Sequence, residues 1–172
     1  MSRPAPEISP TPGPARSIAE IDAAFRANYV RFQYLLVDFM AEHLADASRA
    51  FKGDMQSAVL IAIIGQVTLQ AVTAARAAGR AIDDIPPDRR GISTFRLADA
   101  TGIPRETVRR KLVAMERIGW LKREENFWFL TFTGEDATAR HDLAAVDGRS
   151  IGRAARFYAG VTPLVNARDH PT

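Results

Sequence analysis

Twenty-one consecutive residues, Met55 to Ala75, carry no charge, and a chain in water has few places to put such a segment. As a helix the run is about 30 Å long, enough to cross a bilayer. Ser57, Gln66, Thr68, Gln70 and Thr73 give it a polar load unsuited to lipid, and no aromatic belt flanks it. The reading that fits is a buried helix, under a neighbour or at the centre of a dimer, with no membrane contact. Gln66 and Gln70 stand one turn apart and, if buried, need partners. A two-fold mate or a small-molecule effector would both serve, and the residues do not choose between them. Phe51-Lys52-Gly53-Asp54 breaks the pattern ahead of the run, with Asp54 placed to cap it.

The preceding segment supplies one candidate neighbour. Ser17 to about Ser48 reads as one long helix, opened by a capping box of Ser17 and Glu20. Ile18, Ile21, Phe25, Tyr29, Phe32, Leu36, Phe39 and Leu44 recur at helical spacing, and Val30, Tyr34, Leu35, Val37 and Met40 widen the stripe. A helix apolar around that much of its girth needs two partners. One is the next helix, and the other is a second copy of the chain, so a homodimer is expected. Met1 to Arg16 holds five of the ten prolines and reads as a disordered tail. Beyond residue 134, Ala137 to Val146 and Arg149 to Val161 read as two short helices interrupted at Asp147-Gly148.

Between these parts, Ile92 to Phe132 has the most specific local pattern. Ser93 or Thr94 can cap a first helix with Leu97 and Ala98 inward. Thr101-Gly102-Ile103 is a turn, with Gly102 where a left-handed residue is wanted. Pro104 suits the first turn of the next helix. Arg105 to Ile118 then places Val108, Leu112 and Met115 on one face, and Glu106, Arg109, Arg110, Val113 and Arg117 on the other. Gly119 ends that helix. Trp120 to Glu124 and Phe127 to Thr131 read as two short strands around a Glu125-Asn126 turn, with Asn126 suited to positive φ. Ala77 to Gly91, containing Pro86-Pro87, is a connector. Arg89 and Arg90 in it are equally suited to phosphate or to water.

The run LADATGIPRETVRRKLVAMERIGWLKRE resembles the winged helix-turn-helix reading head of the MarR, GntR and Crp-like bacterial transcription regulators, and the chain as a whole is MarR-like. The resemblance implies a mainly α fold with a small β-hairpin wing and long N-terminal helices. It also implies that the second helix enters the major groove of double-stranded DNA while the wing touches flanking backbone or minor groove. Carried onto this chain, the contact residues are Ser93, Thr94, Arg105, Glu106, Thr107, Arg109 and Arg110, with Arg123 and Asn126 in the wing. The implied division is a tail over 1–16, a helical dimerisation region over 17–80, a DNA-binding domain over 81–134 and a C-terminal helical segment over 135–172. MarR-like chains end in longer helices than this one offers.

Charge agrees with an anionic partner. Arg89 to Trp128 holds ten Lys/Arg against five Asp/Glu, while the whole chain is only +3. Chemistry motifs are missing. There is no Gly-rich phosphate loop, HExxH or GxSxG, and His43, His141 and His170 stand far apart. Asp83-Asp84 and Glu124-Glu125 fit a connector and a turn. The chain has no cysteine, which excludes disulfides and thiolate sites. No apolar signal segment opens the sequence. The expectation is a cytoplasmic, sequence-specific DNA-binding regulator, not an enzyme, with no cofactor or metal. The competing readings are a replication or partition accessory using the same head, and a winged module that binds only protein.

Overall fold

The computed structural model describes residues 16–131 and 138–166, so the tail over residues 1–15 and the turn read at Thr133 to Asp136 lie outside it. The fold is mainly helical, with one small antiparallel sheet. In chain order the elements are α1 (Ile18–Ala27), α2 (Tyr29–Ala50), α3 (Met55–Ala77), a 3-10 turn (Ile82–Asp84), α4 (Pro87–Arg90), β1 (Ile92–Ser93), α5 (Thr94–Thr101), α6 (Arg105–Arg117), β2 (Leu121–Glu124), β3 (Phe127–Leu130) and α7 (Thr138–Asn166).

The uncharged run forms α3, and its inner side is the floor of the main core. Leu60, Ile61 and Ile64 pack with Ile92, Leu97, Ile103, Val108, Leu112, Met115, Leu121 and Trp128. Helix α3 has the length and hydropathy to cross a membrane, and here one side of it is covered by protein. Gln66 and Gln70 lie on its exposed side. Asp54 caps it, accepting from Ser57 N–H at 3.1 Å. The same carboxylate accepts from Lys111 Nζ at 2.6 Å, which ties α6 to the start of α3.

The sheet has the order β1-β3-β2, with Ile92 opposite Trp128 and Arg123 opposite Trp128 on the other side. Central β3 is covered on both faces, so Trp128 and Phe129 are both buried. Edge strand β2 shows Lys122, Arg123 and Glu124 to solvent, a charge pattern that discourages pairing with another sheet. Thr68 joins α3 to the sheet. Its buried hydroxyl donates to Ile64 O at 2.9 Å and accepts from Leu130 N–H at 3.2 Å.

Four local expectations are corrected. The N-terminal helix is not continuous. It breaks at Asn28 (φ −112°, ψ 35°), and the break lets Phe25 stack on Phe32 with ring centroids 4.3 Å apart. The C-terminal segment is one helix of 29 residues that runs through Asp147-Gly148. A glycine inside a helix costs roughly 1 kcal/mol, and α7 offsets this by burying Ala139, Arg153 and Val161. The connector is structured: Ile85 is buried with Ala71 and Ala75, and Ile92–Ser93 adds a third strand. In the hairpin turn the positive φ (53°) belongs to Glu125 rather than Asn126.

Helix α7 lies along α2 and α1. Asp46 of α2, only 2 % exposed, accepts from Arg149 Nε at 2.9 Å and Arg153 Nη2 at 2.9 Å. These guanidinium groups hold its carboxyl well below the usual carboxylate range. Phe39 meets Phe157 at 5.3 Å between ring centroids.

Candidate nucleic-acid interface

Helices α5 and α6 form an αα-hairpin whose turn is set locally. Ser93 caps α5 by accepting from Arg96 N–H at 3.3 Å. Gly102 ends α5 at φ 67°. Thr101 Oγ1 donates to Leu97 O at 2.6 Å and accepts from Ile103 N–H at 3.3 Å. Pro104 precedes α6, whose buried residues are Val108, Leu112 and Met115. With that face held in the core, Arg105, Glu106, Arg109, Arg110 and Arg117 are left in solvent.

The N-terminus of α5, the first turns of α6 and the β2–β3 hairpin enclose a cleft of about 380 Å³. Six of the nine sequence-predicted contact residues line it: Ser93, Thr94, Arg105, Arg109, Arg123 and Asn126. Thr107 is half-buried and Arg110 exposed, and both lie outside the lining. Glu106 is beside it through Arg109, which donates two hydrogen bonds to its carboxylate at 2.9 and 2.7 Å. That contact holds the Glu106 carboxyl below its usual range. Arg109 is therefore already matched by an acid, whereas Arg105 and Arg110 have no ion pair among the described residues.

Two aromatic residues complete the cleft, and sequence reading missed both as site residues. Trp128 Nε1–H donates to Thr94 Oγ1 at 3.1 Å, and its ring sits under the Arg123 guanidinium, 5.5 Å from the centroid. Arg123 Nε also donates to Glu125 O at 3.0 Å, so the arginine is held over the cleft from the hairpin side. Phe95 is 63 % exposed. The signal available for it was its position beside the capping pair and off the Leu97 face of α5.

Not every cation of the basic stretch is free to meet a ligand. Arg90 donates to Ile85 O and pairs with Asp83 and Glu124, with its guanidinium 4.8 Å from the Phe129 ring centroid. It holds the connector against the sheet. Lys111 is taken by Asp54. Arg89, Arg96, Arg105, Arg117, Lys122 and Arg123 form no ion pair among the described residues, and Arg110 makes no direct one but lies close enough to Glu106 to help hold its carboxyl down. Guanidinium, amide and hydroxyl groups around one open cleft make a donor-rich surface suited to an anion. No group of His, Asp or Glu among the described residues is placed to hold a metal.

A second cleft, of about 700 Å³, lies between α2, α3 and α7 and reaches β3. Phe51, Ile61, Leu69 and Leu143 give it apolar walls, and Gln66 and Arg140 add polar groups. It places the expected Gln66 next to a cavity, while Gln70 is not in its lining. No protein-family model, curated protein or solved structure matches the chain.

Proposed function

We propose that this chain is a winged helix-turn-helix protein that binds double-stranded DNA in a sequence-dependent way as a homodimer, and so regulates transcription in the cytoplasm. Helix α6 is the reading helix and the β2–β3 hairpin is the wing. One observation carries the reading: residues from α5, α6 and the hairpin, far apart in the chain, converge on one basic cleft. Phosphate contacts need donors on several elements to set the register, and base contacts need an exposed helix face. Arg105 and Arg110 stand on that face with no ion pair among the described residues. Arg109 trades Glu106 for a base or phosphate when DNA arrives. Arg123, fixed over Trp128, is a backbone contact.

Selection of bound fragments from random duplex DNA tests this. A recovered two-fold-symmetric sequence is the expected result. Arg110→Ala should then relax preference at one base-pair position, since a good guanine contact discriminates by about 1–3 kcal/mol. Arg123→Ala should weaken all sites alike and lower the salt slope by about one unit. Arg105→Ala and Arg110→Ala proteins that fold and keep both affinity and salt slope unchanged would transfer preference to a protein-binding winged module.

A further inference from the structure

Helix α2 is apolar on two opposite sides, and the other described elements use only one. The inner side meets α7 through Leu35, Phe39 and Asp46. At 100° per residue, Val30, Tyr34, Val37, Ala41 and Leu44 fall on the opposite side. Val30 is 81 %, Tyr34 63 %, Val37 53 % and Leu44 47 % exposed. Val30, Tyr34, Val37 and Ala41 line one shallow groove along the helix.

The spacing along this row alternates four and three residues, which is the seam of a helix that packs along another helix. Apart from Asp46 on the inner side, the charged residues of α2 stand off this row on one flank, with Asp38 at the edge of the groove. Glu42 and Arg49 there are paired with Arg156 and Asp46. Arg31 and Asp38, two turns apart on that flank, have no hydrogen bond or ion pair among the described residues. The other flank, at Gln33 and Met40, is uncharged.

We propose that this seam packs on the same seam of a second copy, with the two α2 helices antiparallel and crossing between Tyr34 and Val37. A two-fold axis perpendicular to the helices brings like flanks together. Arg31 of each copy then stands beside Asp38 of the other, twice over. A parallel pair would set the charged flank against the uncharged one and leave all four charges unmatched. The inference rests on the two-copy element of the function proposed above, and names the surface and the orientation.

Light scattering on the full chain at micromolar concentration tests the seam. The wild type should be a dimer. Val37→Glu should be a monomer with an unchanged circular dichroism spectrum, because Val37 takes no part in the intrachain core. A monomeric wild type, or a Val37→Glu dimer as tight as wild type, overturns the seam. Orientation has its own test. Arg31→Asp and Asp38→Arg each place like charges together, and each should self-associate several-fold more weakly at low salt. Mixed in equal amounts they should recover wild-type affinity as a heterodimer, because every crossing then pairs opposite signs. No recovery on mixing overturns the antiparallel arrangement. Failure of the DNA reading looks different: a dimer that binds no duplex leaves the seam intact.

Discussion

Gly91 has an ordinary extended backbone, φ −131° and ψ 177°, so no turn demands a glycine there. What demands it is Phe129. An added Cβ would stand 2.8 Å from Cδ1 of that ring and closer still to Cε1. The ring in turn carries the Arg90 guanidinium. Gly91→Ala should therefore destabilise the fold by about 1–3 kcal/mol, the usual cost of forcing volume into a packed site. Urea denaturation measures it, and adding Phe129→Leu should recover part of the loss. Full additivity of the two changes would show that the glycine serves something else. Glu106 is a second residue whose neighbour decides its role. Its carboxylate sits at the mouth of a basic cleft and occupies Arg109. Glu106→Gln should raise affinity for any duplex several-fold at low salt while changing stability by less than about 0.5 kcal/mol. A loss of affinity confined to one base-pair position would instead make Glu106 a reader.

Among the elements, α3 and β3 depend on each other through Thr68. A strand amide facing a helix has no ladder partner, and an unsatisfied buried N–H costs about 1–3 kcal/mol. The Thr68 hydroxyl meets that need for Leu130. Thr68→Val keeps the shape and removes the acceptor, so it should cost about 1–3 kcal/mol in chemical denaturation. Thr68→Ser should retain most of the stability. Equal losses in the two variants would point to packing of the methyl group as the cause. Helix α7 is tied to the α6–β2 junction in a similar way, by Trp120 Nε1–H donating to Asp142 Oδ2 at 2.8 Å. Phe51 meets the same indole edge-on, 5.7 Å between centroids. The small sheet and the long helices thus share side chains, so a change at the α2–α3 corner reaches the strand that follows α6.

For the molecule as a whole, the clasp of Asp46 with Arg149 and Arg153 makes stability pH-dependent. The folded-state pKa of Asp46 is depressed, so its contribution is present above the ordinary carboxylate pKa and fades as pH falls through that range toward the folded value. Asp46→Asn should lower the thermal midpoint at neutral pH, because it leaves a buried guanidinium without a counter-charge. The gap between variant and wild type should narrow as pH drops below about 4. A gap that stays constant to the lowest pH at which both proteins fold would mean that the carboxylate charge is not what holds α7 to α2.

The parts legible in the sequence are those set within a few residues of the backbone. Ser17, Asp54 and Ser93 cap the helices expected of them, and Gly102 turns where a left-handed residue was required. The charged face of α6 followed from periodicity, because burial of Val108, Leu112 and Met115 fixes where Arg105, Arg109 and Arg110 must point, but Val113, expected on that face, is half-buried against the core. Tertiary structure decided the rest. The break at Asn28 serves a ring stack between α1 and α2, and the continuity of α7 across Gly148 is supported by contacts with helices more than a hundred residues earlier. Ile92–Ser93 is a strand only because β3 lies beside it. Which cations stay unpaired depended on acids brought from elsewhere, Asp54 to Lys111 and Asp83 to Arg90. Caps, turns and periodicity act through local backbone geometry and can be read along the chain. Burial, pairing and charge neutralisation depend on which distant segments meet, and a linear pattern does not carry that information.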